Sequence, residues 1–295
     1  MTPDQAVAAS IRRSWAGAPD REALTALGQR LGDRFPGTRA VLFYGSARRQ
    51  GPAPDRLCDV YVLVERLDQA LPSRLDAVMA RLLPPNVYAH RDGNGHLEAK
   101  VAVMTLDQFE ARCTPATVDC SLWARFAQPC RPLYLADDRA AARCARACAQ
   151  ATITLLRETR ALVEAGSTEA VWTTALGLTY AAEFRAEGRD RVAALYAADQ
   201  DYFAALTAPA LAASAAVPRP VARLRWSVRR CWVPVLQVAR LVKAARTFDG
   251  GLDYLARKLN QHSGQAVDIT PAMRRRPLRA GAVLFIRLRR RGVFR

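Results

Sequence analysis

The sequence predicts an α/β (α+β) protein in which a small mixed sheet with helices is followed by a helical domain and by C-terminal basic amphipathic helices. Three observations predict this class. Short runs rich in β-formers alternate with amphipathic stretches over residues 38–135, which is typical of a mixed sheet with helices. Residues 138–206 are rich in alanine and have helical periodicity. Residues 219–295 carry 19 Lys and Arg against three acidic residues, a net +16 of the chain's +17.

These shifts in composition predict three regions. Residues 1–135 would form the sheet domain with an N-terminal helical extension, residues 136–212 the helical domain, and residues 221–295 a basic membrane-binding region. A linker is predicted before the basic region, because prolines interrupt regular structure there; they are Pro209, Pro218 and Pro220. The charge asymmetry indicates an anionic partner for the last region, either membrane phospholipid or nucleic acid.

Composition narrows the class of protein. A chain of 295 residues that is 51% hydrophobic can bury a sizeable core in about two domains. No apolar run approaches the ~20 residues that span a bilayer, and residues 1–15 lack the apolar core of a signal peptide, so we expect a cytoplasmic protein. Seven cysteines without Cys-x-x-Cys spacing predict reduced, mostly buried thiols. With three histidines in the chain, a zinc site is disfavoured.

The most informative stretch is an apolar run that ends in Tyr44-Gly45-Ser46 and is followed by a second apolar run that opens with Asp59. The first run predicts a short strand that stops at Gly45. A helix or tight turn beginning at Gly45-Ser46 would point free N–H groups outward, where they can hold a phosphate. Asp59 would lie where a carboxylate can hold Mg²⁺, which bridges phosphate oxygens. The stretch therefore predicts a triphosphate and metal site for nucleotidyl transfer.

A second carboxylate is expected at the alternate strand position, because side chains two residues apart share a face. That position holds Tyr61. Glu98 is the best candidate for the missing ligand, since residues 96–104 predict a later strand on which Glu98 and Lys100 share a face. Lys100 could then pair with a phosphate in the same cleft. The alternative interpretation is an ordinary turn at Gly45 and a strand-edge charge at Asp59.

Residues 221–248 predict a basic amphipathic helix that lies on an anionic membrane surface. Its apolar side chains recur at three- and four-residue steps; they are Leu224, Val228, Cys231, Val235, Val238 and Val242. The basic side chains lie off that stripe, while Trp226 and Trp232 suit the boundary between water and lipid. The alternative is that the apolar stripe packs on the body and the arginines are solvated. Nucleic acid is disfavoured as the partner, because no binding module is recognisable.

The order of the motifs resembles one family, the phosphatidate cytidylyltransferases of the mitochondrial translocator assembly and maintenance type. The resemblance covers about residues 40–205, departs at Ala47 and Gln128, and includes a single aspartate where other nucleotidyltransferases have two carboxylates. The matching segments are Tyr44-Gly45-Ser46, Asp59, Lys100-Val101-Ala102-Val103, Ala124-Arg125-Phe126-Ala127-Gln128-Pro129-Cys130 and Leu178-Thr179-Tyr180-Ala181-Ala182-Glu183-Phe184-Arg185.

The resemblance implies a nucleotidyltransferase-like fold and the transfer of CMP from CTP to phosphatidate, with Mg²⁺ as cofactor, at the inner face of the cell membrane. It implies catalytic, metal-binding and nucleotide-binding roles for particular residues. These residues are Asp59 and Lys100 for catalysis and Tyr44, Gly45, Ser46, Arg125 and Arg185 for nucleotide binding. Asp59 is the metal ligand that the resemblance implies, and Glu98 stays the candidate second ligand that the strand pattern gives. Two alternatives stay open: a nucleotidyltransferase with another acceptor, and an inactive fold that serves as a membrane adaptor.

Overall fold

A computed structural model describes residues 1–16, 22–51, 57–91, 98–164, 166–183 and 189–247. Two features expected from the sequence lie outside these residues. One is Arg185, and the other is the arginine-rich end of the chain beyond residue 247.

Five strands form one mixed sheet in the order β3-β4-β2-β1-β5. The strands β2 and β4 are parallel, and the other neighbours are antiparallel. Their bounds are β1 Thr38–Tyr44, β2 Cys58–Val64, β3 Asn86–Arg91, β4 Glu98–Thr105 and β5 Arg131–Leu135. The expected mixed α/β class is therefore confirmed. The sequence did not single out β5, which pairs with β1 at one edge of the sheet.

Twelve α-helices lie within the described residues. They are α1 Pro3–Ala16, α2 Glu22–Arg34, α3 Ser46–Gln50, α4 Leu67–Ala70, α5 Arg74–Leu82, α6 Leu106–Arg112, α7 Ser121–Phe126, α8 Asp138–Thr159, α9 Thr168–Ala182, α10 Arg189–Ala198, α11 Gln200–Ala213 and α12 Arg219–Thr247. The helix α5 corresponds to an amphipathic segment of the sequence that stops before Pro84. Pro209 lies inside α11, so the expected linker is shorter than predicted and covers the residues between α11 and α12.

The sheet is buried on both faces, which explains why its central strands are apolar throughout. One face, with Val60 and Val62, packs against α2, α4 and α5. The other face, with Tyr61 and Leu63, packs against α6 to α9 and α11. The predicted division of β2 between two faces is therefore confirmed, and the helices of residues 138–213 share one core with the sheet.

The helix α12 exposes the first part of its predicted apolar stripe to solvent and turns some of its basic side chains toward the body. Leu224 is 65% exposed and Trp232 is 53% exposed, whereas Arg229 is buried. The alternative considered from the sequence, in which this apolar stripe packs on the body, therefore does not hold for Leu224 and Val228. The position predicted for Trp226 is wrong, since this side chain is only 1% exposed. No helix in the described part of the chain is long and apolar enough to cross a membrane.

A buried carboxylate holds this orientation of α12. Glu158, near the end of α8, is fully buried and accepts hydrogen bonds from Arg225 (2.6 Å) and Arg229 (2.9 Å). The Arg229 guanidinium also lies over the rings of Trp123 and Trp226, at 5.4 and 5.1 Å from their centroids. Because a charged group is stable in an apolar interior only when it is paired, these contacts fix which side of α12 faces inward.

We expect Glu158→Gln to destabilise the protein by about 3 kcal/mol, because it leaves the buried Arg229 charge without its partner. Denaturant unfolding at neutral pH measures the change. The control is Glu164→Gln, at an exposed carboxylate, for which we expect a change within about 0.5 kcal/mol. Equal stabilities of the two variants would contradict the role assigned to Glu158.

The buried Lys243 of α12 donates hydrogen bonds to the carbonyl oxygens of Leu83 and Pro85. Burial and the charges of Arg240 and Arg112 lower its pKa from 10.5 to about 7. Between these two pKa values the unfolded chain binds the proton and the folded protein does not, so this group favours folding increasingly as the pH rises.

We expect the unfolding free energy of the wild type, relative to that of Lys243→Met, to increase by up to about 1.4 kcal/mol for each pH unit. Denaturant unfolding from pH 7 to 9 checks this, and a pH-independent difference would contradict it.

Candidate active site

Three predicted site residues are brought side by side on neighbouring strands. Tyr44, at the end of β1, is paired with Asp59 near the start of β2. Asp59 is in turn paired with Lys100 near the start of β4. Adjacent strands are about 4.8 Å apart, and directly paired side chains point to the same face. Because β1 and β4 both pair with β2, the carboxylate of Asp59 and the ammonium of Lys100 lie at one end of the sheet, next to Tyr44.

Gly45 forms the turn beside Asp59. Its backbone has φ 85° and ψ −163°, a region that is essentially restricted to glycine. A Cβ at this position would lie 3.2 Å from Oδ2 of Asp59. The helix α3 starts at Ser46, directly after the turn, as the sequence predicted. The chain thus passes close to the carboxylate and then presents the first N–H groups of α3, which have no partner within the helix.

The charged groups of Asp59 and Lys100 have no protein partner within the part of the chain that the structure describes. Neither side chain forms a hydrogen bond or an ion pair there, and both are half-buried. Buried or partly buried charges are ordinarily paired, so this pair of opposite charges is a candidate for binding a charged ligand. The carboxylate suits a divalent cation and the ammonium suits a phosphate.

Tyr61 occupies the position where a second carboxylate was expected, and its role is structural. Its ring packs edge-to-face on Phe126, with centroids 5.1 Å apart, and against Tyr44 at 5.5 Å. It is only 4% exposed, and burial raises the pKa of its hydroxyl. A buried, neutral phenol at this position cannot act as an anionic metal ligand, so Asp59 is the carboxylate that β2 contributes.

Arg125 on α7 faces the same end of the sheet. Its guanidinium donates to the carbonyl oxygen of Ser121 (2.6 Å) and lies 3.5 Å from the Glu183 carboxylate. Burial disfavours its charge, but Glu183, Tyr61 and Tyr44 raise its pKa above the usual value. Arg125 is therefore a fixed positive charge close to Tyr61 and Tyr44. It was predicted from the resemblance alone.

Two arginines of α3 were missed by the sequence analysis. Arg48 donates to both carboxylate oxygens of Asp199 at 2.6 Å, which ties α3 to the start of α11. Arg49 is affected electrostatically by Asp199 and Tyr180, and burial together with the Arg48 charge lowers its pKa. Their position directly after the Gly-Ser turn was a usable signal, because cations beside a phosphate loop can bind phosphate.

The sequence analysis also missed the ion pairs of Asp119, a buried residue whose charge acts on Tyr61. Asp119 forms ion pairs with Arg240 of α12 and with Arg112 at 3.7 Å. Burial opposes the charge of Asp119, but Arg240 lowers its pKa below the usual value. These contacts join α12 to the loop before α7, and α7 is the helix that carries Arg125. They connect residues far apart in the chain, so no local pattern could have indicated them.

Glu98 has a different partner from the one expected. Its carboxylate lies 3.0 Å from the guanidinium of Arg91, across β3 and β4. No group of three or more His, Cys, Asp or Glu that could hold a metal ion occurs among the described residues. A single carboxylate such as Asp59 would be enough for a Mg²⁺ that arrives with a nucleotide, because Mg²⁺ commonly takes one or two carboxylates and completes its coordination with water and substrate phosphates.

A scan of protein-family models and a search of curated proteins each return no match to this chain. The resemblance seen in the sequence therefore stays a prediction. The basis for a functional proposal is the carboxylate of Asp59 and the ammonium of Lys100, neither of which has a partner among the described residues. The glycine turn and the arginines of α3 and α7 add to it.

We expect Gly45→Ala to destabilise the protein by about 2 kcal/mol, because alanine strongly disfavours this backbone conformation. Its Cβ would also press on the Asp59 carboxylate. The control is Gly177→Ala in α9, where an added Cβ meets no atom within 4 Å, and there we expect a gain of about 0.5–1 kcal/mol. Thermal unfolding of both variants measures the difference, and a neutral Gly45→Ala would show that the turn is not constrained.

Proposed function

We propose that this protein transfers CMP from CTP to phosphatidate, giving CDP-diacylglycerol and pyrophosphate at a membrane surface. The observation that carries the proposal is the alignment of Tyr44, Asp59 and Lys100 on three adjacent strands, with Gly45 against the Asp59 carboxylate. A glycine turn that leads from a strand into a helix beside a free carboxylate suits a nucleoside triphosphate. The series of motifs that resembles the phosphatidate cytidylyltransferases supports the same reaction.

In this proposal the triphosphate lies along the turn. Ser46 and the first N–H groups of α3 would donate to its phosphate oxygens, and Gly45 would allow the backbone to approach them. Lys100 and Arg125 would balance negative charge from the neighbouring strand and from α7. Asp59 would hold Mg²⁺, which when bound neutralises charge on the phosphates and on the departing pyrophosphate.

The acceptor needs no general base in this reaction. A phosphomonoester has its second pKa near 6, so at neutral pH its oxygen is already largely deprotonated. That oxygen would attack the α-phosphorus of CTP, and the bond from the α-phosphorus to the bridging oxygen of pyrophosphate would break. The protein's task is then alignment and charge stabilisation. A site with one free carboxylate and several cations is sufficient for this task.

The outward apolar stripe of α12 supports a lipid acceptor. Phosphatidate is anionic and stays in a bilayer, so the enzyme must reach a negative interface. The described side chains of α12 include exposed Leu224, Val228 and Trp232 beside exposed Arg223 and Arg230. Apolar side chains that enter the interface next to arginines that meet lipid phosphates are typical of peripheral membrane helices.

We expect Asp59→Asn to abolish transfer while leaving the fold and the thermal unfolding temperature unchanged. The assay mixes purified protein with phosphatidate-containing vesicles, labelled CTP and Mg²⁺, and measures label in the lipid phase. The control is Asp201→Asn, an exposed carboxylate on α11, which should retain wild-type activity. An Asp59→Asn enzyme with wild-type turnover would overturn the assignment.

The same assay separates the two alternatives. If the wild type binds CTP with Mg²⁺ in calorimetry but labels no phosphatidate, a nucleotidyltransferase with another acceptor replaces the proposal. If it binds vesicles but no nucleotide, an inactive membrane adaptor replaces it.

A further inference from the structure

Exposed large hydrophobic side chains are concentrated on two helices. Among the described residues all of them belong to α5 or α12, apart from Met1 and Val118. On α5 they are Leu75, Val78 and Leu82, and on α12 they are Val221, Leu224, Val228, Trp232 and Val235. Such a concentration indicates an interaction surface, since exposed apolar residues scattered singly are the normal condition of a protein surface.

The stripe on α5 is a true helix face. Leu75, Val78 and Leu82 follow each other at steps of three and four residues, and Leu82 is 77% exposed. The opposite face packs Ala77 and Ala80 into the core beneath the sheet. The helix therefore has two apolar faces, one covered by the sheet and one without a protein partner in the described part of the chain.

Hydrogen bonds join α12 to a residue that follows α5 and to the neighbour of Val118. Arg240 of α12 donates to the carbonyl oxygen of Pro84 (2.9 Å), just after the end of α5. The same arginine bonds to Asp119, the residue that follows Val118. The second half of α12 is thus fixed directly to the segments that carry the other exposed apolar residues.

The charges around these residues select an anionic partner. Exposed arginines flank both stripes; they are Arg74 and Arg81 on α5 and Arg219, Arg223 and Arg230 on α12. The one carboxylate of α5, Asp76, is buried, and α12 contains no acidic residue. The partly exposed Asp68 of α4 interacts electrostatically with Arg81, but neither α5 nor α12 carries an exposed carboxylate of its own. Apolar side chains flanked by arginines on such helices match the interface of an anionic bilayer.

We propose that α5, Val118 and α12 form one docking surface for an anionic phospholipid bilayer, so that the protein is held by two helices and not by α12 alone. This inference rests on the proposed function, because it names the second contact with the membrane that carries the acceptor. A single interfacial helix can rotate about its own axis. A second contact on α5 prevents that rotation and fixes the orientation of the sheet relative to the lipid.

The first test places an environment-sensitive fluorophore on each helix of the full chain. Cys231 of α12 is the single exposed cysteine, and the other six are buried, so the wild type is labelled there. The second protein is Val78→Cys with Cys231→Ser. On adding phosphatidylcholine vesicles that contain phosphatidate, both fluorophores should shift to shorter wavelength at the same lipid concentration. A shift at Cys231 with none on α5 would overturn the inference.

The second test removes the α5 stripe with Leu75→Gln, Val78→Gln and Leu82→Gln together. Co-sedimentation with the same vesicles should weaken about tenfold, while calorimetric CTP binding and the unfolding temperature stay unchanged. The control triple variant is Ala204→Gln, Ala205→Gln and Ala208→Gln on the exposed side of α11, which should bind vesicles as the wild type does. Transfer to phosphatidate should fall on vesicles and be retained in detergent micelles.

Other occupants give different results, each of which overturns the inference. If the α5 variant keeps its vesicle affinity but converts a dimer to a monomer in sedimentation, the surface binds a second copy of the chain. If it keeps its affinity but unfolds at a lower temperature, the surface is covered by the end of the chain beyond residue 247. Failure of the proposed reaction is distinguishable, because vesicle binding and fluorophore shifts do not require turnover.

Discussion

The buried carboxylate of Glu158 determines which side of α12 meets the solvent. Two arginines of that helix, Arg225 and Arg229, reach inward to it, and the rings of Trp123 and Trp226 pack against the Arg229 guanidinium. Trp226 is buried on the same side of the helix, while Leu224 and Val228 of the apolar stripe are exposed. The surface chemistry of α12 is therefore a consequence of one ion pair in the interior of the protein.

The candidate site depends on a second constraint, the register of three strands. A shift of one residue between β1 and β2 would move Asp59 to the other face of the sheet, where Val60 and Val62 are buried. Such a shift would bury the Asp59 carboxylate in the core between the sheet and its helices, where an unpaired charge is costly. The core thus fixes the position of Asp59 relative to Gly45 and Lys100, although none of its residues belongs to the site.

Local pattern predicted much of this arrangement. The alternation around Asp59 indicated the faces of β2, and the Gly-Ser pair indicated the turn into α3. The sequence could not indicate partners that are distant in the chain, such as Asp119 for Arg240 or Glu158 for Arg229. Trp226 was misplaced for a related reason: its ring suits both a membrane interface and a core, and only the long-range contact with Glu158, whose carbonyl oxygen accepts from its indole N–H at 2.8 Å, decides between them.

The close approach of Gly45 to the Asp59 carboxylate also limits how this protein can change over evolutionary time. A side chain at position 45 would strain the backbone at this positive φ and would push the Asp59 carboxylate, 3.2 Å from the added Cβ, out of its position. Neither position can therefore drift while the other stays constant and the site is retained. Glycine and aspartate at these two places are expected to be inherited together or lost together, as one unit of descent.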